Sequence, residues 1–260
     1  MAAHVSVIST TPVKGLGLVH PEAVELGHAG VAHDRRFHLV DESGRLANGK
    51  SFGPLVTVAP ALSDDGRVLG LRFPDGRAIT AEVELGEAVT TSFYGTDLPG
   101  RLVEGPWAAA LSAFAGVSLR VVRVDDGSTG VDRGTRAGVS LQSVASLQRL
   151  ASEAGVQAVD GRRFRMLFTL DGVAAHEEDA WLGRAVRIGD AVVRPLAHVG
   201  RCAVTTHDPD TGVPSLDTLR SLRSYRSDVP SEEALPFGVW GEVVEPGRVR
   251  LGDPVALLAG

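Results

Sequence analysis

The sequence predicts a mixed α+β protein that is rich in strands. Two observations carry the prediction. Short runs of β-branched and apolar residues recur at regular spacing between Gly, Pro and Asp-Gly breaks, and only a few segments place apolar residues at helical spacing. Regularly spaced short strands imply a barrel or a sandwich. The chain has 260 residues, enough for one large domain or two modest ones with real cores.

The first hundred residues read mainly as strand. Val5–Ile8 is a short strand, and Thr10–Gly15 turns at Pro12 and Gly15. Ala23–Leu26 stops at Gly27, and Arg35–Val40 alternates and ends at the turn Asp41-Glu-Ser-Gly44. Val56–Val58, Leu69–Phe73, Ala78–Val83 and Ala88–Tyr94 follow, with Pro74-Asp75-Gly76 suited to a hairpin. Trp107–Phe114 is helical in composition and is expected to bridge two halves. Ser118–Val124 returns to strand, and the polar, Gly-rich stretch Asp125–Gly138 is a loop.

Ser143 is placed to cap a helix that carries Val144, Leu147, Leu150, Ala151 and Ala154 on one face and ends at Gly155. Phe164–Leu170 is a near-continuous apolar strand, broken after Asp171-Gly172. Glu177-Glu-Asp-Ala-Trp181 makes one acidic turn. Val186–Ile188 pairs with Val192–Val199 around Gly189-Asp190, and Asp217–Tyr225 is a short basic helix. Phe237–Val244, Arg248–Leu251 and Val255–Leu258 close the chain as strands.

Composition narrows the function. The net charge of −6 gives no global cationic field, so a nucleic-acid partner is not expected; the local cluster Arg162, Arg163 and Arg165 still suits a phosphate. One cysteine rules out an intramolecular disulfide, a four-cysteine iron–sulfur cluster and a cysteine-rich zinc site within these residues, and fits a reducing cytoplasm. Met1–Val7 lacks a basic region followed by an apolar core, and no apolar run reaches membrane-spanning length, so neither a secretory signal nor a membrane span is expected. Gly15-Leu-Gly17 continues to His20 and not to a third glycine, so the dinucleotide fingerprint is missing, as is a Walker-type loop.

The stretch Gly200–Gly212 holds the single cysteine, Cys202, directly after Arg201. Val204-Thr205-Thr206 reads as a strand closing in the turn Asp208-Pro-Asp-Thr-Gly212. A neighbouring cation favours the thiolate, the form that attacks electrophiles and binds soft metals. The plain alternative is a small buried apolar residue.

Taken in order, several segments resemble the MOSC family, named for the C-terminal domain of molybdenum-cofactor sulfurase. They include Pro12-Val-Lys-Gly15, Asp34-Arg-Arg-Phe37, Ser143-Val-Ala-Ser-Leu147, Arg163-Phe-Arg165, Glu177-Glu-Asp-Ala-Trp181, Arg201-Cys202, Thr205-Thr-His-Asp-Pro-Asp-Thr-Gly212 and Val249-Arg-Leu-Gly-Asp-Pro-Val255. The resemblance implies an N-terminal β-barrel-like domain over residues 1–116 and a MOSC β-barrel domain with a few peripheral helices over residues 117–260. The architecture is similar to bacterial and mitochondrial amidoxime-reducing proteins, which bind a pterin molybdenum cofactor through a cysteine.

By that resemblance Cys202 is the molybdenum ligand and the catalytic centre. Arg201 contacts the pterin, Lys14 and Arg35 reach the cofactor from the first domain, and Arg165 reaches it from the second. Trp240 walls the pocket where relatives often carry tyrosine. Ser143 either donates to an anionic group or only caps its helix. Arg165-Met166-Leu167 departs from the family's usual Arg-Pro-Asn, which leaves the substrate range open.

The resemblance implies an oxidoreductase that reduces N-hydroxylated substrates. With no flavin, haem or iron–sulfur motif, the chain needs a separate electron-transfer protein of flavoprotein, ferredoxin or cytochrome type. The alternatives are a non-catalytic carrier of the molybdenum cofactor or of sulfur, and a cysteine hydrolase. For the hydrolase, strand alternation admits His198 as a partner of Cys202 and disfavours His207. Glu177, Glu178 and Asp179 read as an acidic first helical turn in preference to a hard-metal site.

Overall fold

The computed structural model describes residues 2–47, 49–93, 96–124 and 138–259. In chain order its strands are β1 His4–Ile8, β2 Ala23–Gly27, β3 Gly30–Val31, β4 Phe37–Val40, β5 Leu46–Ala47, β6 Ala59–Leu62, β7 Val68–Arg72, β8 Ala78–Glu82, β9 Glu84–Phe93 and β10 Thr96–Glu104. Helix α1 Trp107–Ala115 precedes β11 Arg120–Val124. The remainder is β12 Val139–Ser143, α2 Val144–Ala154, β13 Phe168–Asp171, β14 Val186–Ile188, β15 Ala191–His198, α3 Thr218–Arg226, β16 Val239–Glu245, β17 Gly247–Arg250 and β18 Val255–Leu257.

A seven-stranded sheet runs β1-β13-β12-β16-β15-β14-β18. Its edges meet: His4 bridges Pro254, Val5 N–H donates to the Asp253 carbonyl at 3.0 Å, and Val255 N–H donates to the Ala3 carbonyl at 2.9 Å. The sheet is therefore nearly closed, which leaves little exposed edge. Its interior holds Val5, Phe168, Leu170, Val186, Ile188 and Val239, each fully buried. The N-terminal strand β1 is thus part of a barrel otherwise built from residues 139–257, and β2 pairs with β17 in the same way.

The second core gathers Leu16, Phe37, Leu39, Leu55, Val58 and Trp107 between the five-stranded sheet β5-β4-β11-β10-β9 and the three-stranded sheet β6-β7-β8. Helix α1 belongs to this core and does not bridge two halves. Trp107 is fully buried with its indole N–H donated to the Leu69 carbonyl at 3.0 Å, and Phe114 meets Phe73 edge-on at 5.5 Å. A third cluster packs α2 and α3 against Phe164, Met166, Val199 and Phe237.

The capped helices form as the residues predict. Ser143 Oγ accepts from Ser146 N–H and Gly155 ends α2 in the left-handed region; Asp217 caps α3 through Arg220 N–H. Three predicted strands differ. Gly53–Thr57 is a 3-10 turn that ends at Val58, because Pro54 presets the first turn and Thr57 Oγ1 bonds back to the Pro54 carbonyl at 2.7 Å. Ala203–Thr206 is also a 3-10 turn, since Thr205 and Thr206 hydroxyls bond back to the carbonyls of Cys202 and Ala203 at 3.0 and 2.7 Å. Gly161–Phe164 turns on the Asp160 cap and Arg165 adopts a left-handed conformation, so β13 starts only at Phe168. The predicted loop at 125–137 and the strand end at Tyr94 lie outside the described residues.

Candidate functional site

Three turns converge on one cavity of about 280 Å³. The first is Lys14-Gly15 with Asp34-Arg35. The second is Arg162–Leu167, between the 3-10 turn and β13. The third is Val199–Pro209, which follows β15 and contains Cys202. Trp240 and Ser140, paired across β16 and β12, form part of the floor.

Several of the lining side chains are cationic. Gly15 has φ +91°, and beyond it Lys14 N–H donates to the Phe37 carbonyl at 2.8 Å, which ties the turn to β4. Arg35 is 8% exposed and pairs with Asp34, whose other oxygen accepts from Thr11 N–H at 2.7 Å. Arg35 Nη2 donates to the Arg165 carbonyl at 2.7 Å, and Arg165 Nη2 donates to the Leu16 carbonyl at 2.8 Å. Two arginines from distant parts of the sequence are thus held side by side. Both adopt positive φ, +53° and +55°, a costly conformation outside glycine that is concentrated at functional sites. Burial, then the Arg35 charge, lower the Arg165 pKa to about 9, so its guanidinium remains charged at neutral pH. Burial, then the Lys14 charge, hold the buried His38 down at about 4, and it is neutral.

Cys202 lines the same cavity, half-buried, at the start of the 3-10 turn. Arg201 lines the cavity beside it. Its guanidinium donates to the carbonyls of Phe164 (3.0 Å) and Phe237 (2.9 Å through Nε), contacts Met166 Sδ at 3.0 Å, and lies 5.0 Å over the Phe164 ring. These contacts fasten the Cys202 turn to the Phe164–Phe237 stack. Met166, Leu167, Val199, Val204 and Trp240 make the surrounding wall apolar.

The structure therefore brings Lys14, Arg35, Arg165, Arg201, Cys202 and Trp240 to one cavity. Ser143 is not among its lining residues. It is fully buried, and its hydroxyl is engaged by Ser146 N–H at 3.1 Å and Ser146 Oγ at 2.6 Å. His207 lines the cavity, whereas His198 is not among its lining residues and sits 3.3 Å from Asp179. The 3-10 turn after Cys202 breaks the strand alternation by which the sequence admits His198 and disfavours His207. The acidic turn sends its carboxylates three ways: Glu177 accepts from Ala174 N–H, Glu178 is fully buried against Ser146, and Asp179 pairs with Arg226 at 2.7 Å. Sequence reasoning did not single out His207 as lining, nor Ser140 or Asp34; Asp34 was legible only as part of Asp34-Arg-Arg-Phe37.

A nearly closed barrel and a second β-rich core, with one cavity lined by several cations and a single thiol, define a two-part cavity protein. The chain belongs to the MOSC family: the MOSC domain matches residues 128–256 and the MOSC N-terminal beta barrel domain matches residues 2–116. Among curated proteins it is 27% identical to mitochondrial amidoxime-reducing component 1 of Mus musculus over 270 residues, 94% of this chain and 78% of that protein. It is 27% identical to mitochondrial amidoxime reducing component 2 of Bos taurus over 274 residues, 93% of this chain and 78% of that protein. A shorter segment of 122 residues is 38% identical to component 1 of Homo sapiens, covering 45% of this chain and 35% of that protein.

Proposed function

We propose that the protein binds a pterin molybdenum cofactor in this cavity and reduces N-hydroxylated compounds with electrons from a separate electron-transfer protein. The observation that carries the reading is the convergence of the chain's single thiol with Lys14, Arg35 and Arg165 in one cavity of about 280 Å³. The relatives named as amidoxime-reducing components support it.

The residues fit the group. A cofactor phosphate needs fixed cations, and the ion-paired Arg35 and the buried Arg165 are held there before any ligand arrives. A metal already bound to a pterin dithiolene needs one further soft ligand, and Cys202 is a thiol that lines the same cavity. When bound, the cofactor supplies two-electron oxygen-atom-transfer chemistry. The protein supplies the geometry. Arg201 holds the Cys202 turn on the carbonyls of Phe164 and Phe237. Trp240, Met166 and Leu167 exclude water from the wall, which strengthens charge interactions inside. The overall reaction converts an N–OH group, two electrons and two protons to N–H and water. Among the described residues no helix is long and apolar enough to cross a membrane.

Turnover of an N-hydroxylated amidine by cofactor-loaded protein with a chemical reductant tests the reading. Formation of the amidine is expected. Loaded protein that gives no product, yet transfers its cofactor to an acceptor enzyme, would make the chain a carrier.

A further inference from the structure

The geometry points to Arg163 as the residue that positions the Cys202 loop. The basic cluster Arg162, Arg163 and Arg165 divides its labour in the structure. All three line the cavity, but Arg165 is tied to Arg35 and Leu16, whereas Arg162 and Arg163 grip the segment after Cys202.

The Arg163 side chain is 8% exposed. Its Nη1 donates to the carbonyls of Thr206 (3.0 Å) and His207 (2.6 Å), and its Nη2 donates to Ser215 Oγ at 2.7 Å. The Asp208 carboxylate lies 3.6 Å away. These partners occupy both arms of the hairpin that follows the thiol: His207 bridges Pro214, Asp208 N–H donates to the Val213 carbonyl at 2.8 Å, and Ser215 N–H donates to the Thr206 carbonyl at 3.0 Å. Thr206 is the last residue of the 3-10 turn that starts from Cys202. One planar guanidinium therefore fixes where that turn ends and where the chain returns.

Arg162 acts differently. It pairs with Asp160 and with Asp210 at the hairpin tip, at 2.6 and 2.8 Å, but its side chain is 37% exposed and Asp210 is 68% exposed, so solvent screens the contact. A lysine at 163 keeps the charge and loses the fork that reaches two carbonyls and a hydroxyl together.

The proposal rests on Cys202 being the reactive group of the cavity, and its test needs no cofactor. Cys202 is the only cysteine in the chain, so the rate of alkylation by iodoacetamide reads this one thiol. Arg163→Lys is expected to raise that rate roughly tenfold, the change in a local opening equilibrium that loss of one charge-assisted hydrogen bond produces, and Arg163→Met, which loses all three bonds, by more than that. Ser215→Ala, which removes only the Nη2 partner, is expected to give a smaller rise, and Arg162→Ala less than about twofold. Ser143→Ala, which loosens the fold away from the cavity, serves as the control and is expected to leave the rate unchanged. Should Arg163→Met not fold, Arg163→Lys and Ser215→Ala decide. Unchanged rates in both, or an equal rise in Ser143→Ala, overturn the proposal. An unchanged rate in protein that still binds molybdenum would refute the Arg163 assignment alone; raised rates in protein that takes up no cofactor would refute the cofactor reading alone.

Discussion

Glu178 gives a stability prediction with a defined pH window. It is fully buried, its Oε1 accepts from Ser146 Oγ at 3.0 Å, and its Oε2 has no hydrogen-bond partner among the described residues. Burial pushes its carboxyl up from 4.5 to about 7. In the folded protein it keeps its proton to about pH 7, whereas the unfolded chain releases it near 4.5. Between those values the unfolded state binds fewer protons, so stability falls as pH rises and levels off above about 7. The loss across the window is about 3 kcal/mol. Glu178→Gln keeps an acceptor for Ser146 and cannot ionise. Its stability relative to the wild type should therefore climb by about 3 kcal/mol from pH 4.5 to pH 7.5, or roughly 6–12 °C in melting temperature for a chain of this size. Thermal or urea unfolding of the two proteins in parallel measures the difference, and other titrating groups cancel in the subtraction. A difference that stays flat with pH would refute the claim that this carboxyl is held neutral by burial.

Two further substitutions probe the fold around the cavity. Ser143→Ala removes the N-cap of α2 and should cost about 1 kcal/mol by denaturant unfolding. It should leave molybdenum content unchanged, because the hydroxyl is absent from the cavity lining; a loss of metal would reinstate Ser143 as a cofactor contact. Gly53→Ala would place a Cβ 2.0 Å from the Gly212 carbonyl, where backbone meets backbone and neither side can rotate away. It should destabilise by roughly 1–3 kcal/mol. A neutral result by the same unfolding assay would mean that the two segments do not touch in solution.

Much of the fold was legible because local chemistry and tertiary context agree in it. Ser143 and Gly155 bound α2, and Asp217 starts α3, since caps satisfy backbone groups that every helix end leaves open. The strands read in Arg35–Val40 and Ala78–Val83 likewise emerge as β4 and β8, although β4 is buried at all four positions. The failures share a cause. Val56–Val58 and Val204–Thr206 have strand-like composition, but threonine hydroxyls that bond back to carbonyls, and Pro54 in the first case, favour a tight turn over a ladder. The short strands β3 and β5 carry too few residues for periodicity to register. At the site, Cys202, Arg201, Lys14, Arg35 and Arg165 were reachable through the order of motifs. The work of Arg163 was not, because its partners are carbonyls of residues 206 and 207, and a carbonyl has no signature in sequence. His207 was set aside by a strand argument that its actual 3-10 turn invalidates.

Cys202 and the cations that line its cavity together hold a molybdenum cofactor in the proposed function. That binding is tested most directly by the molybdenum and pterin content of protein purified from a cofactor-competent host, beside Cys202→Ser. About one molybdenum per chain is expected in the wild type. In Cys202→Ser the metal should be lost or its absorption spectrum altered, because the soft ligand is gone. Wild-type protein that is free of metal and takes up no added cofactor would contradict the account.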